Sequence, residues 1–246
     1  MLNELLLVAS VFIIYGGTIL FYKLHGIQGL YSWTVFATIA ANIEVLILID
    51  AFGMEQTLGN VMFASSFLVT DIISEIYGKK AANKAVNIGI VTSLMFIVVS
   101  QLWLQFEPSA NDWAMSSIKA IFSNTPRLML VSFLVYAVCQ RLDVWLYHKW
   151  WSFTDKKYKD HRKYLWLRNN GSTLISQLIN TILFNVGAFA GMYDFKTLVN
   201  IIAAGYIIYI VTSLLDTPFV YLARNMAEKM GEKSVVSEKN SRNINN

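Results

Sequence analysis

Residues 198–222 read LVNIIAAGYIIYIVTSLLDTPFVYL, and this run decides the class of fold. It contains a single charged side chain, that of Asp216. A helix needs about 20 mostly apolar residues to cross the hydrocarbon core of a bilayer. The run is long enough to do so and is predicted to be a transmembrane helix.

The composition extends this prediction to the whole chain. Of 246 residues, 55 % are hydrophobic and only 15 % are charged. Soluble domains carry about 25 % charged residues, so there are too few charges here to cover a water-soluble globule. Three prolines and one cysteine exclude a Pro-rich disordered chain and a disulfide scaffold. We therefore expect an all-α polytopic membrane protein.

Six further stretches have the length and apolar character of a membrane span. The seven predicted helices cover 5–24, 31–52, 58–77, 86–106, 128–147, 174–193 and 198–222. They are expected to form one transmembrane domain, 1–228, followed by a polar, disordered cytoplasmic tail, 229–246. Segment 107–127 is predicted to be an interfacial loop with room for a half-turn of helix. Segment 148–171 is predicted to be a basic, aromatic loop that contacts anionic lipids.

The distribution of positive charge predicts the orientation in the cytoplasmic membrane. With the N-terminus outside, only Lys119, Arg127 and Lys196 of the 20 Lys and Arg residues lie outside, and Arg141 lies within a span. Positively charged loops stay in the cytoplasm, so we expect the N-terminus outside and the C-terminus inside. Basic cytoplasmic segments explain the net charge of +4, so we expect no nucleic-acid partner.

Ionisable side chains inside the predicted spans are candidates for a functional site. Each costs about 2.5–3.5 kcal/mol on insertion scales, and such groups often mark a pathway or a binding site. Asp71 and Glu75 are spaced i, i+4 and share one helix face, where they could share a proton, face a cation or bind a ligand. Both residues also have a purely structural interpretation. Asp71 could form a hydrogen bond between helices, and the side chain of Glu75 could extend to the inner surface of the membrane.

Four other ionisable positions and one amide complete this set. Asn42 and Glu44 lie near the middle of the second predicted span and point in different directions. Arg141, Asp143 and Asp216 are candidates for coupling or for a structural ion pair, in which Arg141 would neutralise Asp143.

The sixth predicted span carries the most polar side chains. Small polar residues often only hold helices together. A continuous stripe of amides and hydroxyls without charge suits an uncharged heterocycle with several donors and acceptors. Its clearest members are Thr173, Ser176, Gln177, Asn180 and Thr181.

The sequence gives little support for catalysis. It contains no HExxH, GxSxG, Walker A or CxxC motif, and its three histidines fall in loops or at span ends. We expect no enzyme activity, no metal and no cofactor.

Three stretches resemble the vitamin-uptake-like (VUT) family of queuosine-precursor transporters. They are residues 69–83 (VTDIISEIYGKKAAN), 41–45 (ANIEV) and 171–181 (GSTLISQLINT). The resemblance covers about residues 30–222, and the T-D-x-x-x-E-x-Y-G element is its most specific part. The first predicted helix is additional to the six-helix core of shorter members.

The resemblance implies an importer of 7-cyano-7-deazaguanine or its aminomethyl analogue. Asp71 or Glu44 would bind the guanine-like edge, with Glu75 nearby, and Phe67 or Tyr136 would stack on the ring. Amide contacts would come from Asn42, Gln177 and Asn180. Membrane lipids are the other expected partner, and the oligomeric state is left open.

Two other classes of function stay open at this point. The chain could be the substrate-binding membrane subunit of an ATP-driven importer, since the absence of Walker A excludes only an ATPase within this chain. A membrane-embedded enzyme would instead need a metal site or a nucleophile–base pair. A scaffold would be indicated by a fold without a central cavity.

Overall fold

The computed structural model describes residues 1–123, 126–158, 160 and 162–232, with only the backbone of Pro126. In these ranges the chain forms seven helices and one β-hairpin. The elements are α1 (Leu2–Glu44), β1 (Leu48–Ala51), β2 (Met54–Thr57), α2 (Gly59–Tyr77), α3 (Lys79–Trp103), α4 (Met115–Phe122), α5 (Pro126–Tyr158), α6 (Leu165–Phe189) and α7 (Phe195–Lys229).

Helix α1 is interrupted at Gly26. The φ of 55° and ψ of −139° at this residue lie outside the helical region, in a part of φ/ψ space that favours glycine. The ring of Phe21 packs edge-on against Trp33 with 5.2 Å between centroids, so the chain folds back on itself. The two arms of α1 correspond to the first predicted span and most of the second.

The predicted helix 31–52 is wrong at its C-terminal end. Helix α1 ends at Glu44, and the chain then forms an antiparallel hairpin that pairs Leu48 with Thr57. Phe52 and Gly53 have φ values of 55° and 72°, as in the type I′ turn favoured by two-residue hairpin loops. The apolar residues before the turn continue the apolar run of the helix, and hydropathy alone does not distinguish a short apolar strand from the end of a helix.

Helix α2 is the central helix of the bundle. Sixteen of its 19 residues are buried, including both carboxyl groups of the predicted pair. It packs against α1, α3, α5 and α7. It ends at Gly78, where a φ of 82° allows the amide to donate to the carbonyl of Ile73. The predicted span 58–77 matches this helix closely.

The all-α polytopic prediction is confirmed. Within the described part of the chain, five helices (α1, α3, α5, α6 and α7) are long and apolar enough to cross a membrane. The first of them contains two arms, and α2 lies among the others. The predicted spans 86–106, 128–147, 174–193 and 198–222 fall largely on α3, α5, α6 and α7.

Two connecting segments differ from their predictions. Residues 148–158 continue α5, and residues 165–171 begin α6, so the basic segment is mostly helical. The segment predicted as an interfacial loop contains the short helix α4. Lys159, His161 and residues 233–246, which include most of the predicted tail, lie outside the described residues.

Contacts between distant segments define two ends of the bundle. At the hairpin end, Asn3 donates to the Asp50 carbonyl (2.8 Å), and Arg127 donates to the Gly187 carbonyl (2.9 Å). Asp194 caps α7 here, and its hydrogen bonds from the Thr197 hydroxyl and backbone amides lower the pKa of its carboxyl group.

At the C-terminal end, Glu232 accepts hydrogen bonds from Tyr22 (3.0 Å) and Tyr77, and it lies beside Gly26. The start of the predicted tail is therefore held against α1 and α2.

Candidate functional site

A cavity opens between the hairpin and the helices at the hairpin end. It has two adjoining lobes of about 390 and 610 Å³, including space open to the outside. Both lobes are lined by polar and aromatic side chains from α2, α6 and α7, namely Asn60, Asn180, Phe184 and Tyr209. We call this space the hairpin-end cavity.

Amide groups without partners lie along this cavity. Gln56 is only 5 % exposed, and neither its Oε1 nor its Nε2 has a hydrogen-bond partner among the described residues. A neighbouring small cavity is lined by Asn42, whose Oδ1 is also unpartnered within that part of the chain. Buried amides that lack partners are costly, so these groups suit a ligand that both donates and accepts.

Two predicted site residues on α6 come together here. Asn180 lines both lobes and donates to Oε1 of Gln177 at 3.5 Å. Gln177 is 1 % exposed and lies one turn deeper in the bundle. The predicted polar stripe on α6 therefore reaches the cavity at Asn180.

The predicted carboxylates do not line this cavity. Glu44 is the last residue of α1 and not a mid-helix residue, because the helix ends there. Asp71 and Glu75 are buried in α2, toward the C-terminal end. The carboxylate at the cavity is that of Glu55, an exposed residue of β2.

Glu75 is the centre of a buried ion-pair network. Arg168 donates to both of its carboxylate oxygens, at 2.9 Å from Nε and 2.6 Å from Nη2. Tyr147 donates to Oε2 at 2.7 Å, and Arg224 lies 3.4 Å from Oε1. The Arg168 guanidinium also stacks on Trp151, 4.6 Å from the ring centroid. We call these five residues the Glu75 network, and it ties α2, α5, α6 and α7 together.

Asp71, Asp143 and Asp216 form a second buried group, which we call the aspartate cluster. Thr173 donates to Asp71 Oδ2 (3.0 Å), and Asn169 donates to Asp216 Oδ1 (2.7 Å). The side chains of Asp71 and Asp143 lie within interaction distance of each other. The three helices α2, α5 and α7 thus each contribute one carboxyl group to the bundle interior.

Arg141 and Asp143, which the sequence left as candidates for coupling or for an ion pair, are not paired in the structure. Arg141 is exposed and donates to Asn87 Oδ1 at 3.2 Å, whereas Asp143 is fully buried. Residues two positions apart on a helix are separated by about 200° around its axis. The side chains of Arg141 and Asp143 therefore point to opposite sides of α5.

The two predicted stacking aromatics also differ in position. Phe67 is buried in an apolar cluster with Val135 and Cys139. Tyr136 lines the small cavity that also contains Asn42. The aromatic residues at the hairpin-end cavity itself are Phe63, Phe184 and Tyr209.

Sequence reasoning missed Arg168, Arg224, Gln56 and Asn60. Arg168 was assigned to a basic loop, although it is fully buried in α6. The helical repeat of the polar stripe could have revealed this helix, since Asn169 lies one turn before Thr173. Gln56 had no such signal, because its burial depends on a hairpin that the sequence did not predict.

Within residues 1–123, 126–158, 160 and 162–232, no group of three or more His, Cys, Asp or Glu residues could hold a metal ion. The arrangement does suit noncovalent binding of a polar heterocycle, with charged groups buried beneath the cavity.

Comparison with known proteins identifies relatives of this chain. A family described as "Putative vitamin uptake transporter" matches residues 57–223. A protein of Bacillus subtilis (strain 168), named "Probable queuosine precursor transporter", is 38 % identical over 208 residues, which cover 85 % of this chain and 89 % of that protein. No solved structure matches.

Proposed function

Because the chain belongs to the vitamin uptake transporter family, and is thus a multi-pass membrane transporter and not an enzyme, we propose that it imports a queuosine precursor. The substrate would be 7-cyano-7-deazaguanine or its aminomethyl analogue. The observation that carries this proposal is the hairpin-end cavity, where the buried amide of Gln56 has no partner in the described chain.

The chemistry of the cavity suits a deazaguanine. Such a base offers N1–H and an exocyclic amine on one edge, which a carboxylate accepts as a pair, and its O6 accepts from an amide. We assign the donor edge to Glu55 in place of Asp71 or Glu44, because Glu55 lines the cavity. Gln56, Asn60 and Asn180 would supply amide contacts.

Aromatic side chains complete the proposed site. Phe63 packs against Tyr209 with 6.3 Å between ring centroids, and both line the cavity. A flat base that stacks on the exposed face of one of these rings gains stacking energy and loses contact with water. Asn42 and Gln177 would contact the base as it moves deeper into the bundle.

We further propose that transport follows alternating access and that the structure represents an outward-facing state. The hairpin end contains the cavity, whereas the C-terminal end is held closed by the Glu75 network and by an Arg162–Glu228 ion pair at 2.7 Å. Lys79, Lys80 and Lys163 lie at the C-terminal end, so the positive-inside rule supports a cytoplasmic location for it. Substrate would enter from the hairpin end.

Uptake by the purified chain in liposomes tests this function. We expect uptake of labelled 7-cyano-7-deazaguanine without ATP or a second protein, and competition by the aminomethyl analogue. Gln56→Ala and Asn180→Ala each remove a hydrogen-bonding group, worth about 1–3 kcal/mol, so KM should rise about tenfold or more. Asn111→Ala, in an exposed loop residue, is the matched control and should transport normally.

Two results would contradict the proposal. Uptake that appears only when a separate ATPase is added would identify a subunit of an ATP-driven importer. Normal KM values in both cavity variants, at matched insertion into liposomes, would place the substrate site elsewhere.

A further inference from the structure

Asp71 and Asp143 face each other across the contact of α2 and α5 without a cation between them. Both residues are fully buried, and their side chains are close enough to interact directly. Asp71 Oδ1 and both carboxylate oxygens of Asp143 lack a well-formed hydrogen bond among the described residues, although the hydroxyls of Ser172, Thr173 and Ser176 lie around Asp143. Two ionised carboxylates in such a place would repel each other and would lack the solvation that a buried charge requires.

The surrounding cations are already bound elsewhere. Arg168 and Arg224 are both directed at Glu75. The four carboxyl groups of the described interior therefore share two guanidinium groups, which leaves the aspartate cluster without a counter-ion. Tyr147 on α5 interacts with Asp71, Cys139 on α5 interacts with Asp143, and Asp216 on α7 interacts with both. Glu75 lies one turn from Asp71 on α2 and is paired with Arg168 on α6 and Arg224 on α7. Tyr15 on α1 interacts with Asp216, and Tyr209 on α7 interacts with Cys139.

A buried hydroxyl lies next to the pair. Ser176 is fully buried, and its side chain lies beside the carboxyl group of Asp143. A hydroxyl can both donate and accept a hydrogen bond. It can therefore donate to a carboxylate and accept from the same group when that group is protonated.

Helix α6 connects this pair to the hairpin-end cavity. Thr173 donates to Asp71 (3.0 Å), and Asn180 lines the cavity seven residues further along the same helix. Seven residues of α-helix span about 10 Å. A displacement of α6 on substrate binding would therefore change the surroundings of Asp71 and Asp143 at the same time.

We propose that Asp71 and Asp143 hold one exchangeable proton between them and that this proton couples import to the proton gradient. On loading, a carboxylate oxygen forms an O–H bond that donates to the other carboxylate, and on release this bond breaks and the proton leaves to the opposite side. The proton supplies a donor between the two carboxyl groups and removes one of their two charges. The coupling rests on the proposed function, whereas the proton site does not.

Infrared spectroscopy of the purified full chain tests the proton site without substrate. At neutral pH we expect the C=O stretching band of a protonated carboxyl group, with a shift in D₂O. The double variant Asp71→Asn/Asp143→Asn should lose most of this band, while Glu107→Gln, at an exposed carboxylate, should retain it. The absence of the band in the unmodified protein, or its full intensity in the double variant, overturns the site.

Accumulation of 7-cyano-7-deazaguanine in liposomes tests the coupling. With one proton per substrate, one pH unit of gradient (acid outside) should raise steady accumulation about tenfold, since one unit corresponds to a factor of ten. Asp143→Asn should still exchange substrate but lose this response. The proton coupling is overturned if substrate accumulation is independent of the pH gradient, or if it depends on a sodium gradient instead. The protein could show the carboxyl band, lose it in the double variant, and yet take up no deazapurine. That result would refute the proposed substrate and support the proton site.

Discussion

At the scale of single residues, the two carboxyl groups of the T-D-x-x-x-E element have different surroundings. Glu75 has two arginines and a tyrosine, whereas Asp71 has one hydroxyl donor and a carboxyl neighbour. The i, i+4 spacing correctly placed both on one side of α2. It could not distinguish them, because their partners come from helices more than 60 residues away in the chain.

Removing Arg168 should destabilise the protein strongly. Arg168→Met leaves the buried Glu75 carboxylate without its bidentate partner, which costs about 3–5 kcal/mol. In a chain of this size we expect a fall in Tm on the order of 10 °C in detergent. Adding Glu75→Gln to Arg168→Met should restore part of the loss, because the unpaired carboxylate is removed and only Arg224 is left without its ion-pair partner.

Arg162→Met is the matched control for that change. Its ion pair with Glu228 is exposed, with side-chain exposures of 47 % and 35 %, and such pairs contribute about 1 kcal/mol or less. Equal shifts in Tm for the Arg162 and Arg168 variants would refute a structural role for the Glu75 network.

At the scale of helices, hydropathy predicted where most spans lie but missed features that depend on tertiary contacts. The predicted start of the sixth span at 174 omitted the first nine residues of α6, because Arg168, Asn169 and Asn170 are polar yet buried. The hairpin was missed because an apolar strand in this position resembles the end of a helix. By contrast, Gly78 marked the end of α2 in the sequence and in the structure.

The break in α1 predicts unequal effects at two glycines. Gly26→Ala places a side chain at a φ of 55° and ψ of −139°, which should cost about 1–3 kcal/mol. Gly16→Ala lies in a regular helical arm, where an added Cβ meets no atom within 4 Å, and should leave stability unchanged or slightly higher.

Thermal unfolding of both variants in the same detergent measures this difference. A Gly26→Ala protein as stable as Gly16→Ala would mean that α1 does not fold back at Gly26.

At the scale of the whole molecule, the bundle has one open end and one closed end. The hairpin-end cavity lies at one, and the Arg162–Glu228 pair and the bonds of Glu232 lie at the other. The charge pattern of the sequence predicted two sides for the chain. It could not show which side contains the cavity, since Gln56, Asn60 and Asn180 come from separate elements that meet only in the fold.

The proposed orientation can be tested with single cysteines in a Cys139→Ala background. Asn111 and Lys80 are both exposed and belong to segments assigned to opposite sides of the membrane. In the proposed orientation, a membrane-impermeant maleimide added to intact cells should label Asn111→Cys and should label Lys80→Cys only after the membrane is opened. Cys139 is buried, so its replacement should not disturb either surface. The reverse pattern would place the hairpin end in the cytoplasm, and the cavity would then face the side to which an importer releases its substrate.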